Sequence, residues 1–202
     1  MANKGLAEEE FDTDPFTQFD RWFREHLQTG VHDAEAAAFG SGFAGGRISV
    51  RMILLKDYDE NGFVFYTNYN SRKGIQLISN PHGSLLFYWP ESARQIRIEG
   101  IAEKVSDEES DEYFTSRPRE SRISAWASEQ SEVIPDRNFL LKKFEHYKDL
   151  FSGREVPRPD YWGGFRLIPD WFEFWQQSDF RLHDRLTYSI NKDVWVMKRL
   201  AP

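Results

Sequence analysis

The fold is decided by residues 39–56, FGSGFAGGRISVRMILLK. Gly40, Gly42 and Gly45 match G-x-G-x-x-G, the pattern of a dinucleotide-binding turn between a strand and a helix. Such a turn must open a helix, because the pyrophosphate binds at the helix N-terminus. Here the glycines lead instead into residues 48–54, where apolar side chains stand at every second position, as in a strand. We therefore interpret the glycines as a connection between strands that does not bind a dinucleotide.

Downstream of this stretch, the pattern predicts a hairpin and a short helix. A turn at Asn61-Gly62 is followed by a second alternating run, residues 63–69, so residues 48–56 are predicted to pair with it. Residues 71–81 then carry a capping serine, a short helical run and a terminating Asn-Pro pair.

The remaining elements occur in blocks. A helix is predicted from the cap at Asp14 to Gly30, with an apolar face formed by Phe16, Phe19, Phe23 and Leu27. Strands are predicted at residues 83–90 and 94–105, helices at 106–117, 118–130 and 136–151, and further strands at 165–177, 185–190 and 194–200. This order predicts one α+β domain over residues 1–202, built on an antiparallel sheet or barrel.

Composition excludes several classes of protein. The net charge of −7 argues against a nucleic-acid or anionic-membrane partner, and no apolar run approaches the ~20 residues that span a membrane. The chain has no cysteine and its N-terminus has no apolar signal region, so we expect a cytoplasmic protein without disulfides. The five histidines are dispersed, so no metal site is expected.

The basic residues fall into clusters, which is what a small phosphorylated ligand would require. The clusters are Arg47, Arg51, Lys56, Arg72 and Lys73, then Arg117, Arg119 and Arg122, then Arg181 and Arg185. Arg51 and Lys56 are an odd number of residues apart on a predicted strand, so they should face opposite sides and serve two anions.

Three groups of residues that contain these cations have both a functional and a structural interpretation. Arg72 and Lys73 begin a helix, where they suit a phosphate or are simply solvated. Tyr113, Arg117 and Ser121 would share a face of a continuous helix and suit a second phosphate, although Pro118 interrupts it. Arg181 and His183 would point the same way on a strand, with Arg185 continuing the row and Trp175 upstream. They could orient a substrate or assist proton removal, or be structural.

Taken together, these residues resemble the pyridoxine (pyridoxamine) 5′-phosphate oxidase family of flavin mononucleotide (FMN) enzymes. The matching segments are RMILLK, FYTNYNSRKG, SNPHGSLLFYW, RQIRIEG, YFTSRPRESRISAWASEQS, VIPDR, PDYWGGFRLIP, EFWQ, RLHDR and the terminal RLAP. They run in the family's order from about residue 47 to residue 202, over three-quarters of the chain.

The resemblance implies an antiparallel split β-barrel with peripheral helices, forming a homodimer that binds FMN at the subunit interface. Residues 1–30 would be an N-terminal segment and helix, residues 31–160 the barrel with a helical insert, and residues 161–202 the strands that complete the barrel and the dimer interface. The flavin would contact Arg51, Met52, Ile53, Leu54, Tyr66, Thr67, Arg72, Lys73, Gln95, Gln130, Ser131, Trp175 and Arg185. The substrate phosphate would bind Lys56, Tyr113, Arg117 and Ser121, and the pyridine ring would lie near Arg181, Leu182 and His183.

The activity implied is oxidation of pyridoxine 5′-phosphate or pyridoxamine 5′-phosphate to pyridoxal 5′-phosphate, a step in vitamin B6 metabolism. A hydride would pass from substrate C4′ to the flavin, dioxygen would be reduced to hydrogen peroxide, and the amine would also release ammonia. Arg181 and His183 would be the catalytic residues.

Two alternatives remain open. One is a related split-barrel flavin oxidase acting on another aromatic substrate, as in phenazine biosynthesis. The other is a protein that binds FMN or pyridoxal 5′-phosphate without turnover. Residues 1–13 contain neither the Arg nor the Tyr with which family members often close over the substrate, which keeps the second alternative open.

Overall fold

One antiparallel sheet forms the body of the computed structural model, which describes residues 5–202. Within these residues the sheet has nine strands: β1 (Ala36–Gly42), β2 (Ile48–Leu54), β3 (Asp57–Asp59), β4 (Gly62–Asn68), β5 (His82–Trp89), β6 (Arg94–Lys104), β7 (Trp162–Gln176), β8 (Asp184–Asn191) and β9 (Val194–Arg199). The helices are α1 (Pro15–Leu27), α2 (Arg72–Ser79), α3 (Asp107–Ser116), α4 (Arg119–Ala127) and α5 (Arg137–Leu150). None of the helices described is long and apolar enough to cross a membrane. The predicted N-terminal segment includes residues 1–4, which lie outside the described part.

The strand order curls the sheet into the predicted split barrel. The order is β2-β1-β5-β6-β7-β4-β3, and β8 and β9 extend from the second half of the long strand β7. Just after β2, the Lys56 backbone N–H donates to the Val64 carbonyl oxygen in β4 at 2.9 Å, which brings the two ends of the sheet together. The prediction of an α+β fold on an antiparallel barrel is confirmed.

The prediction that residues 48–56 pair with residues 63–69 in a hairpin is wrong. Strand β2 pairs with β1, not with β4, and the Asn61-Gly62 turn joins β4 to the short strand β3. The turn itself is well specified, because the Asp59 carboxylate accepts hydrogen bonds from both backbone N–H groups. Strand β1 escaped prediction because it begins with three alanines, which have low strand propensity. The glycine-rich stretch forms the end of β1 and its connection to β2, as predicted for a link between strands.

The apolar row of β2 faces outward. Ile48, Val50 and Met52 are 78%, 67% and 63% exposed, while Ile53 on the other side of the strand is buried. β2 is also an edge strand of this sheet. An exposed apolar row on an edge strand is typical of a surface that another chain covers.

Helix α1 packs its aromatic face on the sheet. The Asp14 side chain accepts hydrogen bonds from the backbone N–H groups of residues 16 and 17, which fixes the helix start as predicted. Phe19 contacts Phe63 with ring centroids 4.8 Å apart, and Trp22 is buried beside it. The predicted face is wrong at its end, because Leu27 is exposed and the buried row continues to His26 instead.

His26 makes the stability of this packing depend on pH. Its ring stacks on Trp89 at 4.7 Å, is only 6% exposed, and its Nδ1 atom has no hydrogen-bond partner among the described residues. Burial lowers the pKa of His26, against a smaller opposing effect of Glu91. His26 therefore binds a proton more readily in the unfolded chain than in the folded chain. The contribution of neutral, buried His26 to the free energy of unfolding is complete above a pH of about 6.5 and is lost as the pH falls below that value.

We expect the free energy of unfolding to fall between pH 7.5 and pH 5.5, and the fall to be smaller in His26→Phe. Urea titrations at the two pH values measure this. His32→Gln is the control, because the His32 side chain is 93% exposed and should leave the difference unchanged. Equal pH dependence in wild type and His26→Phe would contradict the prediction.

Candidate functional site

A cavity of about 600 Å³ lies between β2, β4 and the helices α3 and α4. It brings together eleven of the residues predicted for the site: Met52, Ile53, Leu54, Lys56, Tyr66, Thr67, Lys73, Tyr113, Arg117, Ser121 and Gln130. Its lining also includes residues that the sequence did not indicate: Asn68, Pro118, Ser124, Ala125, Ser128 and Trp162. The described lining contains cations and no carboxylate, so the cavity suits an anionic ligand.

One end of the cavity is built around Lys73. Its Nζ atom donates to Thr67 Oγ1 at 2.7 Å and to Gln130 Oε1 at 2.8 Å. Burial, with a smaller effect of the Arg51 charge, lowers the pKa of Lys73 to about 8. A phosphate at this end would restore a counter-charge that the described residues do not supply, and would favour the protonated lysine.

Helix α2 presents its N-terminus beside Lys73. The Ser71 side chain caps it by accepting from the Gly74 N–H, and the Arg72 backbone N–H donates to Ser131 Oγ at 3.2 Å. This contact joins two predicted flavin residues that are distant in sequence. Arg72 itself is exposed.

Arg51 lies behind this end of the cavity. Its guanidinium donates to the Phe39 carbonyl and to Ser41 Oγ on β1, and to Gln76 Oε1 on α2. Burial, with the Arg72 charge, lowers the pKa of Arg51. Lys56 lines the cavity and pairs with Glu35 at 3.2 Å. Lys56 lies beyond the end of β2, so the prediction that Arg51 and Lys56 face opposite sides of one strand does not apply.

The other end of the cavity holds the predicted substrate-phosphate residues. Two helices meet here with a break at Pro118, as predicted: α3 ends at Ser116 and α4 begins after Pro118, with Arg117 extended between them. Tyr113, Arg117 and Ser121 nevertheless line the same cavity from this corner. Burial lowers the pKa of Arg117, and its Nη1 atom is buried without a hydrogen-bond partner in the described chain. Arg117 therefore carries a positive charge at the cavity wall without a carboxylate to balance it, and such a charge suits an anionic ligand.

A second group of predicted residues lies outside this cavity. Gln95, Trp175 and Arg185 are neighbours across β6, β7 and β8, where the register pairs residue 95 with 175 and residue 175 with 185. Arg185 donates from Nε to Glu173 Oε1 at 2.7 Å and from Nη1 to the Ala201 carbonyl oxygen at 3.0 Å.

Arg181, Leu182 and His183 precede β8 and do not form a strand, which corrects the prediction that Arg181 and His183 share a strand face. Residues 179–181 form a 3-10 turn, with φ of +56° at Phe180 and +63° at Arg181. The His183 ring lies 4.8 Å from that of Trp175, and its Nδ1 atom accepts from the Ser178 N–H at 3.2 Å. The turn exposes Arg181 and Leu182.

Besides the lining residues already given, sequence reasoning missed the roles of two residues that contact predicted site arginines, Glu173 beside Arg185 and Trp162 beside Arg117. Glu173 is 2% exposed and pairs with both Arg185 and Arg97. Trp162 is the first residue of β7 and borders the cavity next to Arg117. An acidic residue inside the apolar run of β7 was a signal for the first, whereas nothing local distinguished Trp162 from a core residue.

The cavity residues fit a phosphorylated cofactor such as FMN. Lys73 and the start of α2 suit its phosphate, and the apolar and polar edge formed by Met52, Leu54 and Thr67 suits a flat ring system. Arg117 lines the same cavity without a carboxylate partner in the described chain and could take a second anion. The donor set therefore fits two anionic groups.

Comparisons with known proteins identify the family of this chain. The family model described as pyridoxamine 5′-phosphate oxidase matches residues 23–151. A second model, described as the pyridoxine 5′-phosphate oxidase C-terminal dimerisation region, matches residues 162–202. The chain is 49% identical over 200 residues to the pyridoxine/pyridoxamine 5′-phosphate oxidase of Trichormus variabilis, covering 98% of this chain and 94% of that protein.

Two solved structures are similar. PhzG from Burkholderia lata, crystallised with tetrahydrophenazine-1-carboxylic acid, is 32% identical with a TM-score of 0.92, covering 100% of both chains. A pyridoxamine 5′-phosphate oxidase-related, FMN-binding protein from Nostoc punctiforme has a TM-score of 0.74 at 15% identity, covering 94% of this chain and 98% of that one, and so shares the fold. Since a family model matches more than half of the chain and a relative is nearly half identical over almost all of it, the chain belongs to the pyridoxamine 5′-phosphate oxidase family.

Proposed function

We propose that this protein is an FMN-dependent oxidase that converts pyridoxine 5′-phosphate and pyridoxamine 5′-phosphate to pyridoxal 5′-phosphate, with dioxygen as acceptor. The observation that carries the proposal is a single cavity lined by Lys73 and by Arg117, which have different neighbours and no described carboxylate partner. A flavin phosphate and a substrate phosphate each need such a cation.

The residues of the cavity divide between two phosphates. Lys73, Arg72 and the N-terminus of α2 hold the phosphate of FMN, and Gln130 and Thr67 keep the Lys73 ammonium in place. Arg117 and Lys56, with the hydroxyls of Tyr113 and Ser121, hold the phosphate of the substrate. This arrangement fixes the substrate at a distance from the flavin phosphate and leaves the space between them for the two ring systems.

The redox chemistry would be the cofactor's: bound FMN would supply the acceptor for a hydride from substrate C4′, and that hydride together with the proton lost from the substrate hydroxyl or amine would reduce dioxygen to hydrogen peroxide. The protein orients the reacting carbon. His183 Nδ1 accepts a backbone hydrogen bond, so the proton of the neutral ring lies on Nε2, from which His183 donates to the substrate oxygen or nitrogen. Arg181 adds a fixed positive charge beside the same group.

We further propose that a second copy of the chain brings Arg181, His183, Trp175 and Arg185 to the cavity. These four residues lie outside the cavity of their own chain, yet all fall in the segment that matches the dimerisation region. The exposed apolar row of β2 borders the cavity and offers a surface for that copy.

A second candidate is an oxidase for an unphosphorylated aromatic substrate. The similarity to PhzG, which was crystallised with a phenazine compound, favours it. The set Lys56, Tyr113, Arg117 and Ser121 argues against it, because two cations and two hydroxyls suit the several oxygens of a phosphate better than the single carboxylate of such a compound. A protein that binds FMN without turnover is the third candidate, and only a kinetic measurement separates it from the first.

The experiment that tests the proposal mixes the purified protein with FMN, oxygen and pyridoxine 5′-phosphate. Aldehyde is measured as a Schiff base with an added amine, and hydrogen peroxide is measured in parallel. More than one aldehyde per flavin supports the proposed oxidase. Bound yellow flavin with no aldehyde from either B6 substrate would overturn it, and peroxide from a phenazine precursor alone would favour the second candidate.

Arg181→Ala and Arg72→Ala should separate the catalytic and cofactor roles. We expect Arg181→Ala to lower kcat by about 100-fold or more with the Kd for FMN within a factor of two, because the positioned charge acts on the substrate. Arg72→Ala should raise the Kd for FMN by about tenfold, because one charge-assisted contact is lost. Fluorescence titration and steady-state kinetics measure both, and wild-type turnover in Arg181→Ala would show that the assigned role is wrong.

A further inference from the structure

We infer that Trp162 is a positioning residue that holds the Arg117 guanidinium for a phosphate group and thereby sets the preference for phosphorylated substrates. The inference rests on the proposed function, in which Arg117 binds the substrate phosphate. It assigns to Trp162 a role that neither its position in the sequence nor its burial indicates.

Arg117 is held by rings and not by acids. Its guanidinium carbon lies 4.6 Å from the Trp162 ring centroid and 5.5 Å from that of Phe114. Two arginines nearby pair with carboxylates, Arg158 with Asp107 and Asp111 and Arg166 with Asp59, whereas Arg119 donates to backbone carbonyls. Among the described residues, Arg117 has no carboxylate partner, and its Nη1 atom is buried without a hydrogen bond.

The difference in partner has a chemical consequence. A carboxylate would neutralise Arg117 and would occupy the N–H groups that a phosphate needs. An aromatic face attracts the cation through its quadrupole but accepts none of its in-plane N–H groups. Trp162 can therefore fix the guanidinium while leaving both its charge and its donors available to a ligand.

Trp162 is itself rigidly placed. It is 7% exposed, and its backbone is held on both sides. The Trp162 backbone N–H donates to the Pro159 carbonyl at 2.9 Å, and the Trp162 carbonyl accepts from Arg158 Nη1 at 2.8 Å. Its ring lies nearly parallel to those of Tyr66 and Tyr113, at interplanar angles of 9° and 4°. The Tyr66 and Tyr113 rings stack on each other at 3.9 Å. Trp162 thus connects Arg117 to residues at both the flavin and the phosphate sides of the cavity.

The test compares the Kd of pyridoxal 5′-phosphate with that of pyridoxal, which lacks the phosphate, on the FMN-loaded protein. Wild type, Trp162→Leu and Trp162→Phe are titrated, with binding followed by the flavin absorbance. Trp126→Leu is the matched control, because Trp126 packs against Tyr147 and Phe151 in the same aromatic cluster but does not line the cavity. Circular dichroism and the Kd for FMN report whether each variant is folded.

We expect Trp162→Leu to raise the Kd of pyridoxal 5′-phosphate by about 10- to 30-fold, which corresponds to the loss of a desolvated cation–π contact. The Kd of pyridoxal should change by less than a factor of about two. Trp162→Phe should recover most of the loss, and Trp126→Leu should bind like wild type. If Trp162→Leu retains the wild-type preference for the phosphorylated ligand, or weakens both ligands equally, the inference is overturned. If wild type itself shows no preference, the proposed function falls and the inference with it.

Discussion

Replacing Arg117 with methionine should lower kcat/KM for pyridoxine 5′-phosphate by about 100- to 1,000-fold. The change keeps most of the apolar stem and removes a half-buried guanidinium that lines the cavity and has no carboxylate partner among the described residues. Two charge-assisted hydrogen bonds to a phosphate contribute about 3–4 kcal/mol together, which corresponds to that range. Steady-state kinetics measure the effect.

The matched control for this change is Arg122→Met. Arg122 is the next arginine but one along the chain and close enough to Arg117 to influence its pKa, but it lines a different cavity together with Arg119, Lys148 and Arg154. Both variants remove one positive charge from the same corner, so a loss confined to Arg117→Met separates a direct contact from a general change of potential. Equal losses in the two variants, or a loss of FMN binding in Arg117→Met, would contradict the assignment.

Gly74→Ala should destabilise the fold and the flavin site together. A Cβ atom at Gly74 would lie 2.3 Å from the Tyr69 carbonyl oxygen and 2.6 Å from the Tyr69 carbonyl carbon. The Tyr69 backbone cannot easily yield, because its N–H donates to the Tyr161 carbonyl at 2.7 Å and its buried side chain donates to the Gly164 carbonyl at 3.2 Å. Helix α2 must then move away, and it carries Arg72 and Lys73 with it.

We expect Gly74→Ala to lower the free energy of unfolding by about 3 kcal/mol, at the upper end for an overpacked site. This corresponds to a fall in Tm of about 6–12 °C for a chain of this size. The Kd for FMN should rise by about tenfold. Gly40→Ala is the control, because a Cβ there meets its nearest neighbour at 3.8 Å, and a similar Tm in the two variants would contradict the steric argument.

The site was partly predictable because many of its residues belong to short segments. Ser71, Arg72 and Lys73 are adjacent, and the capped helix that follows them is a local feature, so their position at a helix start was readable from the sequence. The family resemblance assigned Lys56 and Arg117 to one substrate phosphate, whereas composition and spacing marked them only as cations in two separate basic clusters. Their proximity depends on how α3 and α4 lie over the barrel.

The tertiary structure also changed the meaning of two local patterns. The alternation in residues 48–54 correctly predicted a strand, but its apolar side faces outward and its partner is the alanine-rich β1, which carried no strand signal. Arg181 and His183 matched a strand by their spacing, yet Arg181 lies in a 3-10 turn with positive φ and His183 follows that turn just before β8 begins. In both cases the local spacing was read correctly, but the structure that results depends on residues elsewhere in the chain.

What the sequence by itself determined are the elements with local physical causes: the cap of α1 at Asp14, the cap of α2 at Ser71, the turn at Asn61-Gly62, and the sign of the charge that the site carries. Only the tertiary structure decided which strands pair, that Glu173 is buried between two arginines, and that Trp162 lies against Arg117. Caps and turns involve hydrogen bonds within four residues, so the chain specifies them wherever they occur. Strand pairing and ring contacts join residues far apart in sequence, and they exist only once the whole sheet has closed around its core.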